Sequence, residues 1–157
     1  MLCQIITSMS VRQVDISHKP VQRREAVAVG RIKLRPETVE KIRQGSVEKG
    51  NPLEVARIAG ILAAKNTPSI LPLCHQLKLE SVEVTESIGY DYIEVKSKVV
   101  AFEKTGVEME ALTATAAALL NIWDVVKQYE KDQNGQYPYT AITEIKVVSK
   151  VKENETT

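Results

Sequence analysis

From Arg24 to Leu34 the chain alternates, with Ala26, Ala28, Gly30, Ile32 and Leu34 sharing one side. A two-residue period predicts a strand. The next segment, "RPETVEKIRQG", has Pro36 where a first helical turn tolerates it and Gly45 where a helix usually stops, so it reads as a short helix. "NPLEVARIAGILAAKN" repeats the grammar. Asn51 is placed as N-cap, Pro52 stands at the first position, and Val55, Ile58, Ala59 and Leu62 follow at helical spacing. Two prolines in "TPSILPLCH" predict an extended, stiff connection. "LKLESVEVTES" and "YDYIEVKSKVVAF" alternate again across a turn near Gly89, which is the pattern of a hairpin, and the phase slip at Ser81 predicts a bulge. A long helical segment follows, then the loop "DQNGQYPY" and a last strand, "TAITEIKVVSKV". Strand, two helices, hairpin, helix, strand is the order of an α+β ferredoxin-like plait, an antiparallel sheet with helices packed on one face.

The long helix, Glu103 to Glu130, carries two stripes. At about 100° per residue, Leu112, Thr115, Ala116, Leu119, Ile122, Trp123 and Val126 form an apolar one suited to a core. Beside it run Glu110, Ala117, Asn121, Asp124 and Gln128, with Lys127 next to Asp124. A flank that is polar at both ends, carries carboxylates and is small in its middle has to be explained by something other than the core.

Composition narrows the classes. A chain of 157 residues, 43% of them hydrophobic, supports one domain with a real core. That domain is placed at residues 14–151, between a loose N-terminal arm, 1–13, and a frayed tail, 152–157. Lysine and arginine total 21 against 20 for aspartate and glutamate, so any anion site is local and the bulk field predicts neither nucleic acid nor an anionic membrane as partner. One Phe and one Trp leave too few aromatic residues for an RNA-binding sheet. The two cysteines, Cys3 and Cys74, suit a reducing cytoplasm better than a disulfide framework. No apolar run reaches the length of a membrane span, and the N-terminus lacks a charged start followed by a sustained apolar stretch.

Short motifs discriminate less. Neither the Walker loop nor the dinucleotide fingerprint is present. Ser46-Val47-Glu48-Lys49 and Lys104-Thr105-Gly106 match S-x-x-K and K-T-G of penicillin-recognising enzymes, but the intervening S-D-N element is missing and the helical scaffold does not fit. Two histidines and two cysteines without paired ligand spacing predict no metal site.

Four segments in order, "KGNPLEVARIAGILAAKN", "LPLCH", "KTGVEMEALTA" and "IWDVVK", resemble the MoaC family of molybdenum-cofactor biosynthesis, and the likeness runs from "VDISHK" at Val14 to "VVSK" at Lys150. The resemblance implies a lyase, a cyclic pyranopterin monophosphate synthase. Such an enzyme rearranges (8S)-3',8-cyclo-7,8-dihydroguanosine 5'-triphosphate, a cyclic dihydro-GTP, to cyclic pyranopterin monophosphate and releases pyrophosphate. It also implies a homohexamer, a trimer of dimers with sites at subunit interfaces. A triphosphate needs cations, ring opening and closure need proton transfers, and a purine-like ring needs donors and acceptors at its edge, so neither metal nor organic cofactor is required. The alternative class is a non-catalytic nucleotide-binding regulatory module on the same fold.

By the same resemblance, Asp124 is the catalytic aspartate, and Lys127 on the next turn is its partner. Lys49 precedes a helix N-terminus, where its charge opposes the helix dipole, and is the third catalytic candidate. Leu73, Cys74 and His75 are implied to line the substrate pocket. Adjacent side chains in an extended segment diverge, so a Cys74–His75 catalytic pair is not expected. Met109 and Glu110 are implied substrate contacts, with Glu108 beside them in the same helical turn. Arg24 is the implied phosphate ligand, since its planar donors suit phosphate oxygens, and Lys150 joins it. The chain departs from the family pattern at Gln22, Asn51, Gln76 and Glu103, and in its tail, "SKVKENETT".

Overall fold

The computed structural model describes residues 10–154. The first nine residues of the expected arm and the last three of the expected tail lie outside them. Strand β1 (Gln22–Lys33) is followed by helices α1 (Pro36–Gln44), α2 (Pro52–Lys65) and the single turn α3 (Thr67–Ile70). Strands β2 (Leu79–Ile88) and β3 (Tyr92–Glu103), the long helix α4 (Glu108–Glu130) and strand β4 (Ala141–Glu153) complete the order. The four strands form one sheet in the order β2-β3-β1-β4, every neighbour antiparallel. This is the expected α+β plait, with α3 added inside the segment read as extended, and with β4 continuing to Glu153 in the segment read as frayed.

Local chemistry explains the boundaries. Asn51 caps α2, its side chain accepting from the Leu53 N–H at 3.0 Å, and Pro52 opens the helix. Gly45 ends α1 in the left-handed conformation at φ 67°. The hairpin closes through the Gly89 N–H and the Tyr92 carbonyl, and the pairing of β2 with β3 shifts between Leu79 and Ser81, where the hydrophobic phase slips.

The core lies between the sheet and the helices. Ala26, Ala28 and Ile32 of β1, Ile93, Val95 and Val99 of β3, and Leu119, Ile122 and Val126 of α4 are buried there. On the opposite face of the sheet charges pair across strands, Arg31 with Glu94 at 2.8 Å and Lys98 with Glu25 at 3.7 Å, and along β1 Arg23 pairs with Glu25 at 3.0 Å.

Both long helices are rotated from the orientation that hydrophobicity alone predicts. In α4 the buried residues include Ala111, Ala114, Ala118 and Val125, while Leu112, Ala116 and Trp123 are only partly covered, a turn of roughly 80° about the helix axis. In α2 the face against α4 and β2 is Pro52, Ala56, Gly60 and Ala64. Val55, Ile58 and Leu62 point outward instead, with Ile58 62% and Leu62 53% exposed. The reason is distance between axes. A Cβ on Gly60 would sit 3.0 Å from Val84 Cγ2 and 3.1 Å from the Ala114 carbonyl oxygen, so small residues are what let α2 lie against α4. By length and composition α4 reaches the range of a membrane span, and half of that stretch is buried inside this fold as its central helix.

The C-terminal end of α4 is fixed by Glu130, which is fully buried. Its carboxyl oxygens accept from the Arg35 N–H at 3.1 and 3.2 Å, from Thr140 Oγ1 at 2.7 Å and from Thr38 Oγ1. Arg35 is the N-cap of α1 and offers no side-chain cap, and a glutamate from another helix ties that end of α1 down through the Arg35 N–H and the Thr38 hydroxyl. Glu130→Gln places an amide donor against these donors. Unfolding in denaturant is expected to show a loss of about 2–4 kcal/mol with the slope unchanged, whereas a loss below about 0.5 kcal/mol would mean that the donors find other partners.

Candidate functional site

The predicted residues gather at the two ends of α4. Near its N-terminus a cavity of about 200 Å³ is lined by Leu73, Cys74, His75, Leu77, Thr105, Gly106, Glu108, Met109 and Glu110. Its first wall is not extended. The Cys74 N–H donates to the Leu71 carbonyl at 3.0 Å, a turn in the segment expected to be extended, and Leu73, Cys74 and His75 all line the cavity.

His75 is held by the N-terminal segment. Its Nε2 lies 2.6 Å from the Val14 carbonyl oxygen, which can only accept, so Nε2 carries a proton and Nδ1 is the other ring position. Gln13 Nε2 donates to the Cys74 carbonyl at 3.1 Å, and Lys104 Nζ donates to the Ser17 carbonyl at 3.2 Å. The part of the arm next to the domain is thus tied across the cavity rim. Burial raises the Cys74 thiol above its usual range, and the nearby Glu110 adds to that. Neutral thiol is the resting form this environment favours.

The opposite wall holds two carboxyl groups with different environments. Glu110 is 3% exposed, and one of its oxygens, Oε2, has no hydrogen-bond partner. Burial pushes its carboxyl up to about 6; its own backbone N–H opposes the rise and Glu108 adds to it. Burial also disfavours ionisation of Glu108, but the hydrogen bond and charge of Lys150, the backbone N–H of Glu108 itself and the charge of Arg24 together outweigh it and hold that carboxyl below its usual range. The Glu108–Lys150 ion pair joins α4 to β4. A Cβ on Gly106 would collide with the Glu108 carboxyl oxygens, the nearest at 2.1 Å, so glycine makes room for the group to fold back over the loop.

Arg24 lies behind this wall. Its Nε and Nη2 donate to the Glu103 and Lys104 carbonyls, each at 3.3 Å, which stitches β1 to the loop before α4. Glu103 in turn accepts from the Lys78 N–H at 3.0 Å. Sequence reasoning missed Leu77, Thr105 and Gly106 as cavity lining. The last two lie in "KTGVEMEALTA", a segment that carries the family resemblance, but neither was singled out as a site residue.

The second cluster sits nearer the C-terminal end of α4. Lys127 Nζ pairs with Asp124 Oδ1 at 2.9 Å, and Lys49 Nζ donates to the Asp124 main-chain carbonyl at 3.3 Å. The hydrogen bond and charge of Lys127, then the charge of Lys49, hold the Asp124 carboxyl below its usual range, and Asp124 raises Lys127 reciprocally. This group is open to solvent. Trp123 and Tyr137 stand beside it, ring centroids 5.3 Å apart and edge to face. The cluster can hold an anion and exchange protons, while the cavity offers a carboxyl that titrates near neutrality and a histidine. Fourteen residues of helix separate Glu110 from Asp124, about 21 Å, so one chain does not bring the two groups to one small molecule's reacting atoms. Among the described residues no three His, Cys, Asp or Glu side chains converge as a metal site.

Comparison with known proteins shows the family. The MoaC family model matches residues 13–153. A protein of Pyrococcus abyssi named "Probable cyclic pyranopterin monophosphate synthase" is 55% identical over 147 residues, covering 94% of this chain and 92% of that protein. Proteins of the same name from Sulfurisphaera tokodaii and Saccharolobus solfataricus are 59% identical over 139 residues and 53% identical over 148. These alignments cover 88% and 94% of this chain, and 92% and 99% of the relatives.

The buried Glu110 gives a pH test. Its pKa is higher in the folded chain than the usual 4.5, so folding binds its proton more tightly, and stability is lost as pH rises from about 4.5 through about 6. Glu110→Gln removes that dependence. Between pH 4.5 and pH 7 the parent is expected to lose about 1–2 kcal/mol relative to the variant, measured as the difference of two denaturant series. Parallel curves for the two proteins would show that Glu110 titrates alike folded and unfolded.

Proposed function

This chain belongs to the MoaC family, and on that premise we propose that it is a cyclic pyranopterin monophosphate synthase, a lyase of molybdenum-cofactor biosynthesis. The observation that carries the reading is near-full-length identity above 50% to proteins of that name, joined to a cavity and an ion-pair cluster built from the residues that the family likeness singles out. The substrate is the cyclic dihydro-GTP, and the products are cyclic pyranopterin monophosphate and pyrophosphate. Nothing in the site favours the regulatory-module alternative. The reducing cytoplasm is the compartment proposed for it.

The roles follow from the environments. Asp124, Lys127 and Lys49 serve the proton transfers of ring opening and closure: an aspartate kept ionised by two lysines accepts a proton, and a lysine next to it returns one. The cavity takes the ring. Glu110 presents a carboxyl that can donate while protonated and accept when ionised, His75 presents a ring nitrogen, and Leu73, Cys74 and Met109 supply apolar contact. Arg24 and Lys150 serve the phosphates. Lys150 is paired with Glu108, so a phosphate binding there competes with a carboxylate for the same ammonium.

The separation of the two clusters requires a second chain, and we place the site between copies within a homohexamer, a trimer of dimers. The outward face of α4 supports this arrangement. Met109, Leu120 and Asp124 are exposed along it, with Ala116 and Ala117 between them, and Ile58 and Leu62 of α2 add apolar surface alongside. Two such helices packed antiparallel about a two-fold axis would set Glu110 of one copy against Asp124 of the other, alanine permitting the approach.

Incubation of the purified protein with the cyclic dihydro-GTP, followed by oxidation to a fluorescent pterin, tests the activity; intact substrate with no pterin would remove the synthase reading. Asp124→Asn keeps shape and loses the base, and is expected to lower turnover by roughly 10² to 10⁴ with little change in substrate affinity. Near-normal turnover would reassign Asp124 to a surface ion pair. Glu110→Gln and Asp124→Asn, each inactive alone, are expected to complement when co-refolded. Half of the randomly mixed dimers contain both variants, and one of the two sites in each is intact, so roughly a quarter of normal activity returns. No recovery despite demonstrated subunit mixing would place both residues in one chain's site.

A further inference from the structure

Lys49 is carried by a loop whose shape is set by few bonds. The segment 46–50 joins α1 to α2 and is bracketed by two glycines in positive φ, Gly45 at 67° and Gly50 at 113°. Val47 is buried in the core and anchors its middle. Two main-chain bonds are local: Ser46 N–H to the Lys41 carbonyl at 3.0 Å and Gly50 N–H to the Val47 carbonyl at 3.1 Å. Glu48, the residue immediately before Lys49, has its N–H directed elsewhere. It donates to the phenolic oxygen of Tyr129 in α4 at 2.9 Å.

We propose that Tyr129 is a positioning residue for Lys49: its hydroxyl oxygen, by accepting from the Glu48 N–H, fixes the backbone from which Lys49 reaches the Asp124 carbonyl. The inference rests on the synthase reading for what Lys49 does, and on geometry for how it is held.

Three features separate this from ordinary packing. First, the contact is made by the hydroxyl, not by the ring, which lies on the core and has Lys41 Nζ 5.0 Å from its centroid. Second, Tyr129 follows Asp124 and Lys127 on the same helix, so the rigid element that carries the ion pair also carries the clamp on the third member of the cluster. Third, a lysine side chain has four rotatable bonds, and it finds one acceptor reproducibly only if its Cα is fixed. Small displacements at reacting groups cost large factors in rate, so a loop freed by even about 1 Å is visible in turnover.

Tyr129→Phe removes the acceptor and keeps the ring. Amide exchange read by mass spectrometry on a peptide spanning residues 46–50 is expected to quicken about tenfold at the Glu48 N–H, with exchange in α4 and the melting temperature unchanged. In the pterin assay kcat is expected to fall about tenfold and KM to stay within about twofold. In a Lys49→Ala background the same substitution should cost nothing further, since Tyr129 acts through Lys49. Unchanged exchange in the loop would overturn the proposal, as would an equal loss of kcat in the Lys49→Ala background or a fall in activity that merely tracks a lowered melting temperature. The exchange measurement needs no turnover. If the parent protein made no pterin and the loop still responded, the clamp would stand and the synthase reading would fall.

Discussion

A buried carboxyl at the last residue of α4 holds the architecture to the site. Glu130 accepts from the start of α1, from a threonine in that helix and from Thr140 just ahead of β4, so three segments distant in sequence meet on one side chain. Burying a carboxyl is unfavourable unless its oxygens are satisfied, and here four hydrogen bonds converge on them. The consequence reaches past Glu130. One turn back is Lys127, and two turns back is Asp124. A helix free to fray or slide at this end would carry that ion pair with it, and the loop tied to Tyr129 as well.

The order of elements was legible in the sequence because strand alternation, the Pro36, Gly45 and Pro52 placements and the Asn51 cap are local signals that were obeyed, whereas "TPSILPLCH" opens with a short helix where its prolines predicted an extended segment. Helix orientation was not. In α2 the residues at helical apolar spacing, Val55, Ile58 and Leu62, face away from the core, and Ala56, Gly60 and Ala64 face into it. A pattern reading weighs side chains by hydrophobicity, whereas two helices pressed against one sheet select for small size at the crossing. The same substitution of criterion turned α4 toward its alanines. What hydrophobicity cannot weigh is the size that a helix crossing demands, and so the larger apolar residues of α2 are left at the surface.

The candidate site was legible as a set of residues and illegible as a shape. His75, Glu108, Glu110 and the 73–74 pair line one cavity, and Lys49, Asp124 and Lys127 form one cluster. Two features escaped. The tie from Gln13 and Val14 to Cys74 and His75 joins residues 61 positions apart and has no periodicity to announce it. Thr105 and Gly106 lay within a segment that carries the family resemblance, yet nothing marked them as cavity lining, because a glycine beside a folded-back Glu108 looks the same in sequence as a glycine needed for a turn.

The two ends of α4 also divide the chemistry by solvent. At the N-terminal end Glu110 is enclosed, and removal from water keeps its proton on until about pH 6. Near the C-terminal end Asp124 is in water between two lysines, which keep its proton off. Two carboxyl groups on one helix are thereby poised as opposites, a buried donor-capable group at the cavity wall and an acceptor in a solvent-exposed ion pair. A single enclosed cavity could not easily hold both, since the burial that raises one would raise the other, and neighbouring carboxyls would raise each other further. Separating them by the length of the helix solves the electrostatic conflict and creates a geometric one. The antiparallel pairing of two such helices proposed above would return the two groups to a common substrate without merging their environments.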